Sequence, residues 1–189
     1  KITVISCDNI ENNSQNLRNS FKIFCNEKNS KFIKHIDKYL IFCNSMVDRI
    51  TPKYNSKTKK EIVNKFKYND NCHVESEDYI SWIIQRNKKA DLPPLEKVGV
   101  KFVKNISSYQ EMKMKILNAS HCSTSFLASL DKKKFVYESF NDKKFIKFIN
   151  SFISRDVIPY LKKDFYNYRL FLNSVLKRFS NKAVPDLVK

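Results

Sequence analysis

The segment Ser107–Leu130, SSYQEMKMKILNASHCSTSFLASL, separates two parts of this chain that differ in their predicted structure. The pair Ser107-Ser108 can cap the start of a helix, and Tyr109–Leu130 contains no proline or glycine to interrupt one. We therefore predict a single long helix over Tyr109–Leu130. Because strand and helix patterns alternate before this helix and only helical patterns follow it, we predict an α/β portion at residues 1–105 and an all-helical portion at residues 106–189.

The spacing of apolar residues predicts the other elements of the two portions. Strands are predicted at Lys1–Ser6, Tyr79–Ile84 and Gly99–Val103, and helices at Asn12–Lys28, Phe32–Phe42, Phe145–Ile153 and Phe165–Phe179. The polar, lysine-rich stretch Tyr54–Asn71 predicts one short helix and a loop.

The composition excludes several classes of protein. The chain has 189 residues, of which 42% are hydrophobic and 13% aromatic, so we expect a packed core rather than disorder. No apolar run approaches the roughly 18 residues of a membrane span, and we expect a soluble, cytoplasmic protein with no membrane partner. Gly99 is the only glycine, which excludes a glycine-rich phosphate-binding loop within these residues. The five cysteines form no C-x-x-C pair, so we expect reduced thiols and no metal site.

The net charge of +17 has two interpretations. It suits a nucleic-acid-binding protein, because neutralising phosphates releases counterions and drives association. However, the lysines occur in short groups along the whole chain, and a chain rich in Lys and Asn but poor in Gly is typical of A+T-rich coding DNA. We interpret the charge as a solvated surface and expect no nucleic-acid partner, while a basic binding protein remains the alternative.

Two groups of polar residues could carry chemistry. At about 100° per residue in an α-helix, Asn118 lies roughly 140° and His121 roughly 80° around the axis from Lys113, so all three can face one cleft. An amine, an amide and an imidazole can transfer a proton, donate a hydrogen bond and orient a hydroxyl. By itself this pattern is more typical of a solvated helix face. Asp8-Asn9 follows a strand, where open α/β sheets bind ligands, although an ordinary turn has the same composition.

Several motifs, taken together, favour the chemical interpretation. Three of them occur in order along the chain: Ser6-Cys7-Asp8-Asn9, the stretch from Asn44 to Pro52, and Leu117-Asn118-Ala119-Ser120-His121. This arrangement resembles the polyol-specific long-chain dehydrogenases, which include mannitol 2-dehydrogenase and the fructuronate and tagaturonate reductases. Further segments are similar to that family: Trp82, Val98–Val103, Tyr109 with Met112-Lys113, Arg178-Phe179-Ser180-Asn181 and Asp186. The resemblance covers nearly the whole chain.

The resemblance implies a fold and an activity. Residues 1–105 would form the later part of a Rossmann-type domain, and residues 106–189 the start of a helical C-terminal domain. The family transfers hydride between NAD(H) and a polyol/ketose pair without a metal, so the implied cofactor is NAD, with NADP as a second possibility. The implied substrates are D-mannitol and D-fructose. A hexuronate reductase, and a catalytically inactive basic binding protein that retains the fold, are the alternatives.

The resemblance also implies roles for six residues. Lys113 would be the catalytic acid and base of a K-x-x-x-x-N-x-x-H signature, and the amides of Asn9 and Asn118 would form an oxyanion pocket. Substrate would be bound by His121, Arg178 and Asp48. A lysine near its reference pKa of about 10.4 is a poor base, so the assigned role requires desolvation or a nearby positive charge.

The sequence departs from the family pattern at several positions. The family's glycine-rich fingerprint would precede Lys1, and its last helices would follow the Arg178 motif. We therefore expect a piece of a longer protein that does not turn over alone. Within the chain, five positions differ from the residues usual in the family: Ser14, Gln85, Arg86, Gln110 and Lys182.

Overall fold

The structure is a computed structural model that describes residues 1–28, 31–53, 56–161 and 168–188, and it divides into two compact units. The first unit contains Lys1–Asp48 and Ile80–Glu111, and the second contains Arg49–Tyr79 and Met112–Lys189. Each unit is therefore built from two separate stretches of the sequence.

The first unit contains five strands in two small sheets. Strand β1 (Ile2–Ile5) pairs in parallel with β2 (Leu40–Cys43), and helices α1 (Asn13–Lys28) and α2 (Lys31–Tyr39) lie between them in the sequence. A helical crossover of this kind is what a parallel pair requires. In the second sheet, β4 (Ser81–Gln85) is antiparallel to β3 (Ser45–Asp48) and parallel to β5 (Lys101–Val103).

In this unit, the observed bounds of one helix and one strand differ from the predicted bounds. The helix predicted over Phe32–Phe42 ends at Tyr39, because Leu40–Cys43 satisfies its backbone groups by pairing with β1. The apolar residues of Leu40–Cys43 are compatible with a helix or a strand. In the structure, the side chains of Ile41 and Cys43 are buried as alternate residues of a strand. The strand predicted over Gly99–Val103 begins at Lys101, since Gly99 has φ 91° and ends a 3₁₀ turn in the left-handed conformation that glycine adopts readily.

The core of the first unit forms where these strands meet. Ile41, Cys43, Ile84 and Val100 are buried together there. Burial raises the pKa of the Cys43 thiol, which favours its protonated form.

The second unit is helical in the part that the structure describes. It contains α3 (Ser56–Phe66), α5 (Ala119–Leu130), α6 (Val136–Ser139), α7 (Lys143–Phe152) and α8 (Tyr168–Phe179), while α4 (Ser107–Met112) begins in the first unit and ends in the second. The predicted helix over Phe145–Ile153 starts two residues earlier, because the Asp142 carboxylate accepts a 2.7 Å hydrogen bond from Lys144 N. Two residues of the predicted Tyr54–Asn71 stretch and the first three of the predicted Phe165–Phe179 helix lie outside the described residues.

The core of the second unit is formed by side chains from several of its helical segments. Ile116, Ile149, Ile153 and Val175 are each 0% exposed. Within the described ranges, no helix has the length and apolar character needed to cross a membrane.

A single buried amide, that of Asn13, connects the ends of three segments in the first unit. Its Nδ2 lies 2.9 Å from the carbonyl oxygens of Ser6, Asp8 and Ser45, and its Oδ1 accepts hydrogen bonds from Ser14 N and Ser45 N. The side chain is only 1% exposed. Since Ser6 and Asp8 belong to the turn that leads to Asn9, this amide holds the turn against the start of β3.

Ser14 strengthens the same junction. Its hydroxyl donates a 2.6 Å hydrogen bond to Cys43 O and accepts one of 2.8 Å from Ser6 N, so it bridges the carboxyl ends of β1 and β2. A glycine at this position could make neither contact.

We predict that Asn13→Ala lowers the free energy of unfolding by about 2–4 kcal/mol, because it removes the side chain that bonds to the buried N–H and C=O groups of Ser45. Urea denaturation followed by circular dichroism measures the change. The matched control is Asn16→Ala, one turn further along α1, whose exposed side chain bonds only to Glu11 O among the contacts seen, and which should change the free energy by less than about 0.5 kcal/mol. Equal losses in the two variants would contradict the role assigned to Asn13.

Candidate active site

The turn that carries Asn9 is organised by its own side chains. The carboxylate of Asp8 accepts a 2.8 Å hydrogen bond from Asn9 N, and the Ser6 hydroxyl accepts one of 3.2 Å from Asp8 N. Such bonds are what Asp and Ser supply in turns, so the sequence composition here has a local structural cause. The Asn9 side chain is exposed at the surface of the first unit, just beyond the carboxyl end of β1.

Asp48 also belongs to the first unit. It is the last residue of β3, opposite Ser81 of β4, and it is 5% exposed. The following residue, Arg49, belongs to the second unit, where its Nε donates a 2.9 Å hydrogen bond to Glu77 O.

Lys113 is buried in the second unit, at 8% exposure. It is the first residue of a π-helical segment, Lys113–Asn118, that lies between α4 and α5. Few lysines are buried to this degree, because removing an ammonium group from water is costly unless other groups compensate. Its burial distinguishes Lys113 from the exposed Lys115, two residues further along the same segment.

The π segment changes the geometry expected from the sequence. The long helix predicted over Tyr109–Leu130 is present as helical backbone from Ser107 onward, but its hydrogen bonds widen to the i→i+5 pattern over Lys113–Asn118. Each residue there turns through less than the 100° of an α-helix, so the angles calculated between Lys113 and Asn118 or His121 do not hold. The start also differs from the prediction, since Ser107 is already helical and its N–H is accepted by the Asn105 side chain at 2.9 Å.

Asn118 closes the π segment. Its Nδ2 lies 3.0 Å from the sulfur of Met114, a weak acceptor one turn earlier. The amide is half-buried, and the residue that follows starts α5.

His121 is held by an aspartate near the end of the chain. Its Nε2 lies 2.8 Å from Oδ2 of Asp186, and its ring meets the ring of Phe179 edge-on at a centroid distance of 5.4 Å. Since a carboxylate only accepts hydrogen bonds, the contact places a proton on Nε2. Asp186 is itself fixed, because its backbone oxygen accepts a 3.0 Å hydrogen bond from Val136 N.

Arg178 forms a buried ion pair with Glu77. Its Nη2 lies 2.6 Å from Glu77 Oε1, and its Nε lies 2.9 Å from Oε2 and 3.1 Å from Oε1. The two side chains are 6% and 5% exposed. The ring of Tyr79 lies against the guanidinium, with its centroid 4.0 Å from Cζ. Arg178 is thus held in one orientation by a carboxylate and an aromatic face.

A cleft of about 600 Å³ lies beside this pair in the second unit. Its walls combine charged and hydrogen-bonding side chains with one aromatic ring: Glu77, Asp78, Tyr79, Ser174, Lys177, Arg178, Ser180 and Asn181. Two carboxylates and two cations line it, so the lining has no net charge. The lining therefore presents both hydrogen-bond donors and hydrogen-bond acceptors.

The six residues singled out in the sequence are thus divided between the two units. The second unit contains Lys113, Asn118 and His121 on one continuous helical stretch, together with Arg178 on α8. The first unit contains Asn9 and Asp48. Their combination into one catalytic centre remains a proposal.

Sequence reasoning missed three residues that hold the others in place. Glu77 lies 101 positions from its partner Arg178, and nothing in the surrounding sequence marks it as buried. Asp186 belongs to a motif of the sequence, but nothing in that motif indicates its pairing with His121. Asn13 could have been suspected, since an asparagine at the start of a helix often bonds to nearby backbone.

The first unit has one of the two features that dinucleotide sites in open α/β sheets require. The carboxyl ends of β1 and β2 lie side by side, with Ile5 opposite Cys43, and ligands of open α/β sheets bind at such ends. The phosphate end needs a glycine-rich loop, and the 189 residues contain only Gly99, at an exposed turn. Among the described residues, no group of three or more His, Cys, Asp or Glu side chains is placed to hold a metal ion.

Comparison with known proteins gives a consistent assignment. The mannitol dehydrogenase Rossmann domain family matches residues 1–97, and the mannitol dehydrogenase C-terminal domain family matches residues 105–189. Mannitol dehydrogenase DSF1 of Saccharomyces cerevisiae is 36% identical over 98% of this chain, and the polyol:NADP oxidoreductase of Gluconobacter oxydans is 32% identical over 97%. The chain spans 38% of the length of each of these relatives.

Two solved structures are similar over 98% of this chain, each at 30% sequence identity. They are a D-sorbitol dehydrogenase in substrate-free form, with a TM-score of 0.87, and Pseudomonas fluorescens mannitol 2-dehydrogenase in a ternary complex with NAD and D-mannitol, with a TM-score of 0.83. The chain covers 39% and 38% of their lengths. The expected fold, a Rossmann-type part followed by a helical part, is confirmed, and the chain belongs to the mannitol dehydrogenase family.

Proposed function

We propose that this chain supplies the substrate-binding and proton-transfer groups of an NAD(P)-dependent secondary-alcohol dehydrogenase that interconverts D-mannitol and D-fructose. In this proposal, residues 1–105 are the later part of the cofactor domain and residues 106–189 the start of the substrate domain. The observation that carries it is the burial of Lys113 at 8% exposure on the helical stretch that also bears Asn118 and His121. The complex of a 30% identical relative with NAD and D-mannitol supports the choice of substrate and cofactor.

The proposed mechanism assigns a charge change to each group. The nicotinamide, when bound, gives hydride to the ketone carbon or takes it from the alcohol carbon. In reduction, the ammonium of Lys113 donates a proton to the carbonyl oxygen as negative charge develops there. The side-chain amides of Asn9 and Asn118 donate hydrogen bonds to that oxygen and lower the energy of the transition state. In oxidation, the neutral amine of Lys113 accepts the hydroxyl proton.

The remaining groups bind and orient the substrate. Asp186 fixes the His121 ring through Nε2, so that Nδ1 can accept a hydrogen bond from a substrate hydroxyl. Arg178 and Asp48 provide a donor and an acceptor for further hydroxyls. Burial of Lys113 keeps its side chain out of bulk water, which strengthens each electrostatic contact that it makes.

We predict that Lys113→Ala lowers kcat for both directions by about 10²–10⁴-fold and leaves cofactor affinity nearly unchanged, because only proton transfer is lost. The measurement is steady-state kinetics with D-mannitol and NAD, and with D-fructose and NADH, on the protein as isolated from its natural source and on variants made in that form. Lys115→Ala is the matched control, since Lys115 is exposed on the same π segment. A kcat that survives in the Lys113 variant, or no polyol oxidation by the wild type, would overturn the proposal.

We predict that Asp186→Asn raises KM for D-mannitol by about tenfold with a smaller change in kcat, because the neutral amide is a weaker acceptor than the carboxylate and fixes the His121 ring less firmly. An orienting role affects substrate affinity first, whereas general loss of structure would lower cofactor binding and the melting temperature as well. Asp156→Asn, a change at an exposed residue of the same unit, is the control. It should leave the KM for D-mannitol, the cofactor affinity and the melting temperature unchanged. A parallel loss of substrate and cofactor affinity in the Asp186 variant would indicate a structural role only.

A further inference from the structure

The guanidinium of Arg178 is fixed and its charge is balanced within the protein. Glu77 contacts it at both carboxylate oxygens, and the ring of Tyr79 covers one face of the group. Because both charged side chains are almost fully buried, the pair is shielded from water and keeps one geometry.

Glu77 cannot easily move away from Arg178. Its Oε1 accepts a 2.7 Å hydrogen bond from Ile50 N. Its backbone is fixed as well, since Glu77 N donates to Ile50 O at 3.0 Å and Glu77 O accepts from Arg49 Nε at 2.9 Å. Swinging the carboxylate out would break the contacts with Ile50 N and Arg178 together.

This arrangement has a consequence for the charge of the ligand. A carboxylate that approaches Arg178 also meets the negative charge of Glu77 a few ångströms away, in surroundings where such repulsion is weakly screened. The other charged residues of the cleft, Asp78 and Lys177, are exposed and of opposite sign, so they do not offset this effect. A hydroxyl group, by contrast, exchanges hydrogen bonds with the pair at no electrostatic cost.

We propose that Glu77 is a specificity-determining residue, which by pairing with Arg178 makes this part of the site select a neutral polyol or ketose over a hexuronate. The inference rests on the proposed function in one respect, namely that Arg178 contacts substrate. It goes further in stating why the cation does not favour an acidic sugar, and it assigns that property to a residue outside the motifs of the sequence.

The test compares two ligands that differ in one group. D-Fructose and D-fructuronate carry a hydroxymethyl and a carboxylate group, respectively, at the same carbon, and calorimetry gives the dissociation constant of each. The wild type should bind D-fructose more tightly. In Glu77→Gln the affinity for D-fructuronate should rise at least about tenfold, while the affinity for D-fructose changes less than about threefold. The amide oxygen of Gln can still accept from Ile50 N, so this variant keeps one of the contacts that position residue 77.

Two further variants separate charge from folding. Asp78→Asn removes one negative charge from the same cleft without touching the ion pair, and it should shift the ratio of the two constants by less than about twofold. The double variant Glu77→Gln with Arg178→Gln replaces the pair by neutral amides and leaves no buried charge unpaired, and it should show no gain in D-fructuronate binding. Melting temperatures establish that each variant is folded before its dissociation constants are compared.

Each outcome has one meaning. Tighter binding of D-fructuronate than D-fructose by the wild type, or an equal gain in Glu77→Gln and Asp78→Asn, overturns the inference. If the wild type oxidises D-mannitol but Glu77→Gln leaves the ratio unchanged, the proposed function stands and the inference fails. If the wild type binds neither sugar but Glu77→Gln alone captures D-fructuronate, the charge balance by Glu77 stands and the proposed function fails.

Discussion

The ion pair between Glu77 and Arg178 is the contact on which the second unit depends. It joins a segment that precedes β4 in the sequence to a helix near the end of the chain, 101 residues away. Through its bonds to Ile50 and Arg49, Glu77 also fixes the point where the chain enters this unit. A buried pair of this kind contributes little net stability over an apolar pair, but removing one partner is strongly destabilising because the other charge is left uncompensated. The contact joins the two stretches of sequence that make up the unit.

The first unit depends on a neutral group instead. The amide of Asn13 satisfies backbone groups at the end of β1, in the following turn and at the start of β3. An amide suits this position because it donates and accepts at once, and it carries no charge that burial would penalise. The turn that carries Asn9 is therefore fixed by the buried amide of Asn13. The side chains of Ser6 and Asp8 add hydrogen bonds within the turn itself.

The carboxylates of Asp186 and Glu77 have different effects on the side chains that they bind. Asp186 pairs with a histidine that remains part-exposed, at 35%, so the ring is oriented and can still reach a ligand. Glu77 pairs with an arginine that is 6% exposed, so the guanidinium is both oriented and balanced in charge. Because the chain has a net charge of +17, the positive charge of Arg178 is balanced only where a specific carboxylate, here that of Glu77, lies beside it.

The sequence by itself determined the features that depend on neighbours along the chain. The order of an α/β part and a helical part, most of the helices, and the presence of Lys113, Asn118 and His121 on one helical stretch follow from local periodicity and motifs, and the family resemblance was confirmed. Tertiary structure alone decided the rest. Leu40–Cys43 is a strand rather than the end of a helix because β1 offers it hydrogen bonds, and the π segment after Met112 widens a helix whose sequence contains no helix breaker. The partners of His121 and Arg178 lie 65 and 101 residues away in the sequence and could not be predicted from it. Contacts between distant segments form only when packing brings the segments together, and local sequence does not encode them.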